Sequence, residues 1–146
     1  MGTWAEGIYQ NATAIDHVYD LLERLIEEVE QTVADPIRLE PDQDGSRRML
    51  ANLDLLRLIS EHVYRQVWDT WSIRGPMLPD AKTIMDWKAK YLAAWDAEID
   101  GLDPRGEYKR KHRPIIVATF DQLAQASQRQ DDGPAEPEAP ADWPRE

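Results

Sequence analysis

The chain is predicted to be an all-α helical bundle of three long helices and a shorter fourth, followed by a disordered C-terminal tail. Three observations predict it. Apolar residues recur at alternating steps of four and three through the first segment, the period of a helix face. Proline and glycine at Asp35-Pro36, Arg74-Gly75-Pro76 and Pro79-Asp80 then cut the following sequence into pieces of helix length. From Asp131 the composition turns abruptly to proline and acid. The reading is of two regions, a bundle domain over residues 1–130 and an acidic, Pro-rich tail over 131–146. With 146 residues, 42% of them apolar, such a chain builds one core without metal or disulfide.

The first helix is predicted over residues 3–34, with Trp4, Ile8, Asn11, Ile15, Val18, Leu22, Leu25, Val29 and Thr32 on one stripe. Tyr19 and Ile26 widen that stripe, and Asp16, Asp20, Glu23, Glu27, Glu28 and Glu30 form a solvated acidic wall opposite. Asp35 precedes Pro36, which drives it out of the α region and ends the helix. Residues 35–46 form a connection from which Ile37 and Leu39 tuck onto the bundle, with Asp44 or Ser46 capping the next helix.

The second helix is predicted over 47–72. Leu50, Leu53, Leu56, Val63, Val67 and Trp71 share one face, and Leu55, Leu58 and Ile59 carry apolar surface around the other. A helix apolar nearly all round is a central one. The third, over 81–100, starts from Asp80 as N-cap and ends at Gly101. It turns Ile84, Met85, Tyr91, Leu92, Trp95 and Ile99 inward, with Trp87 at the edge. Residues 104–129 read either as one helix kinked at Pro114 or as two pieces, with Ile115, Ile116, Thr119, Phe120 and Leu123 in the short fourth helix. The tail holds four prolines and no aliphatic side chain larger than alanine, so it has nothing with which to build a core.

Most site chemistry is absent. Without cysteine there are no disulfides, thiolate metal sites or cysteine nucleophiles. No glycine-rich phosphate loop or serine-nucleophile motif occurs. His17, His62 and His112 lie on three different segments, and Glu61 is adjacent to His62 rather than three residues away as a di-iron helix requires. Glu23, Glu27 and Glu30 share a helix face, but it is the solvated one. Neither a metal nor a cofactor is expected. There is no signal-peptide pattern and no apolar run long enough to span a bilayer, so the expected location is the cytoplasm. The net charge of −11 disfavours nucleic acid and membrane as partners and favours solubility or a basic protein partner, and a homo-oligomer stays open beside it. Twelve arginines against five lysines suggest a GC-rich genome, such as that of a bacterium or its phage.

Four features carry candidate function. The segment Arg57-Leu-Ile-Ser-Glu-His62-Val-Tyr64 has an R-x4-H-x-Y spacing. That spacing resembles the motif of HEPN ribonucleases, toxins that act beside nucleotidyltransferase antitoxins. The resemblance covers eight residues and implies a dimer whose paired Arg57 and His62, with Tyr64, cleave RNA without metal. Leu58 stands where the family usually has a polar residue. Five steps of a straight helix rotate about 500°, leaving Arg57 and His62 about 140° apart, so a shared pocket needs a bend or a second subunit.

Six tryptophans against one phenylalanine form the second feature. Trp68, Trp71, Trp87 and Trp95 crowd one junction, where they read as an aromatic core layer. Trp68 and Trp87, off the main stripes, are candidates for a partly exposed binding face. The third is the basic run Lys109, Arg110, Lys111, His112 and Arg113, in a region where 22 acidic and 16 basic side chains up to residue 130 leave −6. It reads as a solvated loop, as a contact for the chain's own acidic tail or another acidic protein segment, or as a contact for nucleic-acid phosphates. The fourth is Trp143, a lone aromatic in the tail that fits the anchor of a short linear motif.

Together these favour a non-catalytic protein-interaction or assembly module, an adaptor, inhibitor or accessory protein of the kind a phage or mobile element carries. Its partner contacts would be Trp68, Trp87, Trp143, Lys109, Arg110, Lys111 and Arg113. The alternatives are the metal-independent ribonuclease on Arg57, His62 and Tyr64, and an acidic mimic of DNA that occupies a DNA-binding protein.

Overall fold

The computed structural model describes residues 7–67 and 75–132. Its described residues form four α-helices and one short 3₁₀ turn, without strands. Trp4, Trp68, Trp71, Trp143 and the tail from residue 133 lie outside the described residues.

Helix α1 spans Ala12–Ala34. It starts later than its periodicity suggests because Asn11 is its cap, not part of its stripe. The Asn11 side-chain oxygen accepts the Ala14 N–H at 2.8 Å, satisfying a donor that the first turn leaves orphaned. Ile8, expected on the stripe, is exposed in the preceding turn. Ile15, Val18, Leu22, Val29 and Thr32 are buried as the spacing requires. Asp35 ends the helix in an extended conformation. Beyond it Leu39 packs onto the core while Ile37 stays exposed.

Helix α2, Asp44–Val67, begins before its expected cap. The Gln43 N–H already donates to the Glu40 carbonyl and the Arg47 N–H to the Gln43 carbonyl, so the chain is wound before Ser46 is reached. Ser46 is buried within the first turn. Met49, Leu53, Leu56, Ser60, Val63 and Val67 face inward. The expectation of a central helix buried by neighbours on several sides is corrected on one face: Leu55 and Leu58 are 43% and 48% exposed. Among the described helices α2 packs chiefly against α1 and α4, and Ala51, Leu55, Leu58 and His62 on its other face are exposed.

Helix α3, Ala81–Glu98, is capped by Asp80, whose carboxylate accepts the Thr83 N–H at 2.7 Å. Its buried line is Ile84, Trp87, Tyr91 and Trp95. Trp87, expected at a partly exposed edge, is only 4% exposed, whereas Met85 is turned outward. The two sit two steps apart, about 200° around a helix, so burying one exposes the other. Gly101 does not end the helix; a 3₁₀ turn, Ile99–Leu102, carries on through it to Asp103. Asp103 takes the left-handed conformation, φ 52°, which aspartate tolerates better than most residues.

Helix α4 spans Tyr108–Asp132, 25 residues: of the two alternatives for 104–129 the single helix holds, and among the described residues it is not shorter than the other three. Pro114 lies inside it without dividing it. Ile116, Phe120, Leu123, Ala124, Ala126 and Ser127 are buried, and Ile115, expected inward, is exposed. α4 packs against both α2 and α3, α2 packs against α1, and α1 touches α3 more lightly. Polar bonds tie the ends: Ser127 donates to the Pro79 carbonyl and Tyr64 to the Gln130 carbonyl.

Candidate functional site

The basic run occupies the first two turns of α4, not a loop. Cations there oppose the helix dipole, and nearby carboxylates offset them. Arg113 donates through Nε and Nη2 to the two oxygens of Asp96 at 2.9 and 2.8 Å. The hydrogen bonds and charge of Arg113 hold the Asp96 carboxyl below its ordinary value, and those of Asp96 push the Arg113 guanidinium up. Lys109 pairs with Asp100 at 2.9 Å. Arg110 and Lys111 share Glu107. The run is therefore an ion-pair array that fixes the start of α4 to the end of α3.

Arg57, His62 and Tyr64 point apart. Arg57 sits between Asp54 at 2.9 Å and Glu61 at 3.7 Å. Glu61 also meets Arg65 and Arg129. Tyr64 reaches α4 through Gln130. His62 lies on the α1 side, its ring edge-on to Tyr9 and its Nε2 bonded to Gln66 at 3.0 Å. One chain thus does not assemble the three side chains into a pocket. Among the described residues no group of three or more His, Asp or Glu is placed to hold a metal, and no helix is long and apolar enough to cross a membrane.

Two surfaces escaped the sequence reading. The first is the outer face of α2, where Ala51, Leu55, Leu58 and His62 follow one another at steps of four, three and four. All four are exposed. The apolar residues were legible, but their assignment to a buried central helix hid the face.

The second is a cleft of about 340 Å³ where the start of α2, the end of α3 and the start of α4 converge. Trp95, Tyr108 and His112 supply its rings, Leu50 and Ile99 its aliphatic wall, and Arg47 its rim. Tyr108 and His112, four residues apart on α4, stack with centroids 4.8 Å apart and planes 15° from parallel. Trp95 meets the His112 ring at a tilt, 6.3 Å between centroids and 42° between planes. The Tyr91 hydroxyl, also at the cleft, donates to the Ser46 carbonyl at 3.3 Å and so locks α3 to α2. Burial pushes the Tyr91 phenol up. The Tyr108-x3-His112 spacing was present in the sequence but was absorbed into the basic run.

Burial lowers the pKa of His112. The folded state therefore binds its proton less readily than the unfolded chain, whose imidazole titrates near ~6.5. This contribution is complete above that pH and is lost as the pH falls toward the folded value. His112→Phe keeps a flat ring and removes the titration. Between pH 7 and pH 5 the wild type is expected to lose more stability than this variant, by less than about 1 kcal/mol because the ring is only partly buried. Urea denaturation of both proteins at the two pH values measures it; parallel losses would dismiss the role of His112.

Trp87 belongs to the core, and Trp68 and Trp143 fall outside the described residues, so none of the three presents a described binding surface. Comparison with known proteins gave no match to a family model, to a curated protein or to a solved structure.

Proposed function

We propose that the protein is a non-catalytic interaction module that receives a protein partner along the outer face of α2. The observation that carries this reading is the exposed pair Leu55 and Leu58, 43% and 48% accessible on a helix whose opposite face is committed to the core. Apolar side chains at steps of four, three and four are the footprint onto which an amphipathic helix packs. The charged residues that border them, Asp54, Arg47 and Arg65, would form the polar rim of such an interface.

The test is photo-crosslinking in the native host with Leu58→p-benzoylphenylalanine, compared with the same crosslinker at Glu23 on α1. The expected result is a discrete adduct at position 58 that disappears when Leu55→Glu is added. An adduct of twice the chain mass would identify the partner as a second copy. No adduct at position 58 would overturn the reading. A second reading, mimicry of DNA, is favoured by the exposed carboxylates of Asp20, Glu23, Glu27 and Glu30 along α1. It requires the opposite pattern, with an adduct at position 23 that is lost at high salt.

A further inference from the structure

We propose that the cleft between α2, α3 and α4 is a binding site for a small planar aromatic carboxylate. The size is suitable: about 340 Å³ lies at the low end of the range for small-molecule sites, enough for a ligand of one or two rings. The walls select a flat apolar body. Tyr108 and His112 present stacked rings, Trp95 closes on His112 at an angle of 42°, and Leu50 and Ile99 complete the apolar lining. Aromatic rings prefer offset or edge-on contact with such surfaces over aliphatic packing alone.

The charge at the rim selects the sign of the ligand. Arg47 is the one charged side chain lining the cleft apart from the imidazole of His112, and no carboxylate lines it. Glu98 and Asp103, next in sequence to lining residues, do not themselves line the cleft, and Asp96, Asp100 and Glu107 are committed to Arg113, to Lys109, and to Arg110 with Lys111. Arg47, by contrast, makes no ion pair among the described residues, while its neighbour Arg48 is held by Glu28 at 2.8 Å. A guanidinium without a partner at the mouth of an aromatic cleft offers a planar two-pronged donor to a carboxylate. Among the lining residues a cationic ligand would meet Arg47 and no carboxylate. The structure thus assigns the ring to the Trp95–Tyr108–His112 wall and the carboxylate to Arg47.

The test is calorimetric titration of the full chain with 2-naphthoate. The comparison ligands are 2-naphthylmethylammonium, with the same rings and opposite charge, and cyclohexanecarboxylate, with the same charge and no flat ring. The expected Kd for 2-naphthoate is on the order of 0.1 mM, with both comparison ligands at least about tenfold weaker. Arg47→Gln and Tyr108→Ala are exposed positions whose replacement leaves the core intact, which circular dichroism checks. Each is expected to weaken 2-naphthoate by about tenfold. The proposal is overturned if 2-naphthoate gives no binding heat, if the ammonium compound binds as tightly, or if either variant binds 2-naphthoate like the wild type.

Discussion

Phe120→Ala is expected to destabilise the protein by about 3–5 kcal/mol, at the upper end of what a single core truncation costs. Phe120 is fully buried in the middle of α4, the helix that packs against both α2 and α3. Its ring meets Tyr91 of α3 with centroids 5.5 Å apart and planes at 56°. Removing the ring forfeits its transfer out of water, its contact with Tyr91 and its part in joining two helix pairs. The resulting cavity resists collapse. Tyr91 is bound to the Ser46 carbonyl and Ser127, one helical turn or two along α4, to that of Pro79, so the walls are held from outside. Domain stability is ordinarily about 5–15 kcal/mol, so the variant stays folded at low temperature with a melting point lowered by roughly 10–20 °C. Urea denaturation of the variant beside Ile115→Ala gives the measurement. Ile115 is 56% exposed on the same helix, and its truncation is expected to cost no more than about 0.5 kcal/mol. Equal costs at the two positions would mean that α4 does not present Phe120 to the core.

What could be read in the sequence follows from the range of the interactions involved. The stripe of α1 repeats within one helix, so Ile15, Val18, Leu22 and Val29 declared themselves by spacing alone. The cap at Asp80 is equally local and equally legible. Asn11 misled because its position fits the stripe, while its side chain competes for the backbone N–H of Ala14 and sets the boundary. Leu55 and Leu58 misled in a different way. Apolarity shows that a face avoids water, not which neighbour covers it, and among the described helices α2 packs chiefly against α1 and α4. The cleft could not be read at all, because it joins Arg47, Trp95 and His112 from three separate elements. Spacing within one helix foreshadowed only its Tyr108–His112 stack.

The same distinction explains the basic run. Five basic residues in sequence suggest a cationic patch when counted along the chain. In space, Asp96 and Asp100 lie on the preceding elements and Glu107 stands immediately before α4. Each carboxylate has a basic partner in the run. Exposed pairs of this kind add little stability individually. Their number matters for orientation, since together they set how the first turns of α4 meet α3. That orientation brings His112, stacked with Tyr108, against Trp95, and all three line the cleft.

Pro114→Ala is expected to stabilise the protein by about 1–2 kcal/mol. Proline inside a helix costs about 3 kcal/mol relative to alanine, because it lacks the N–H owed to the carbonyl four residues earlier and its ring crowds that carbonyl. At position 114 the unserved acceptor is the Arg110 carbonyl. Both residues are exposed, so water relieves part of the loss. Alanine also frees the unfolded chain, which returns about 0.5–1 kcal/mol to the unfolded side. The remainder favours the variant. The helix survives proline because it is anchored on both sides: Arg113 to Asp96 before it, and Ile116 and Phe120 in the core beyond it. A rise in the urea midpoint at unchanged slope would confirm that the proline is a cost carried by those anchors. A fall would mean that the local distortion at Pro114 is what lets Tyr108 and His112 reach Trp95 while Phe120 reaches the core. In that case the proline would be a requirement of the cleft rather than a burden on the helix.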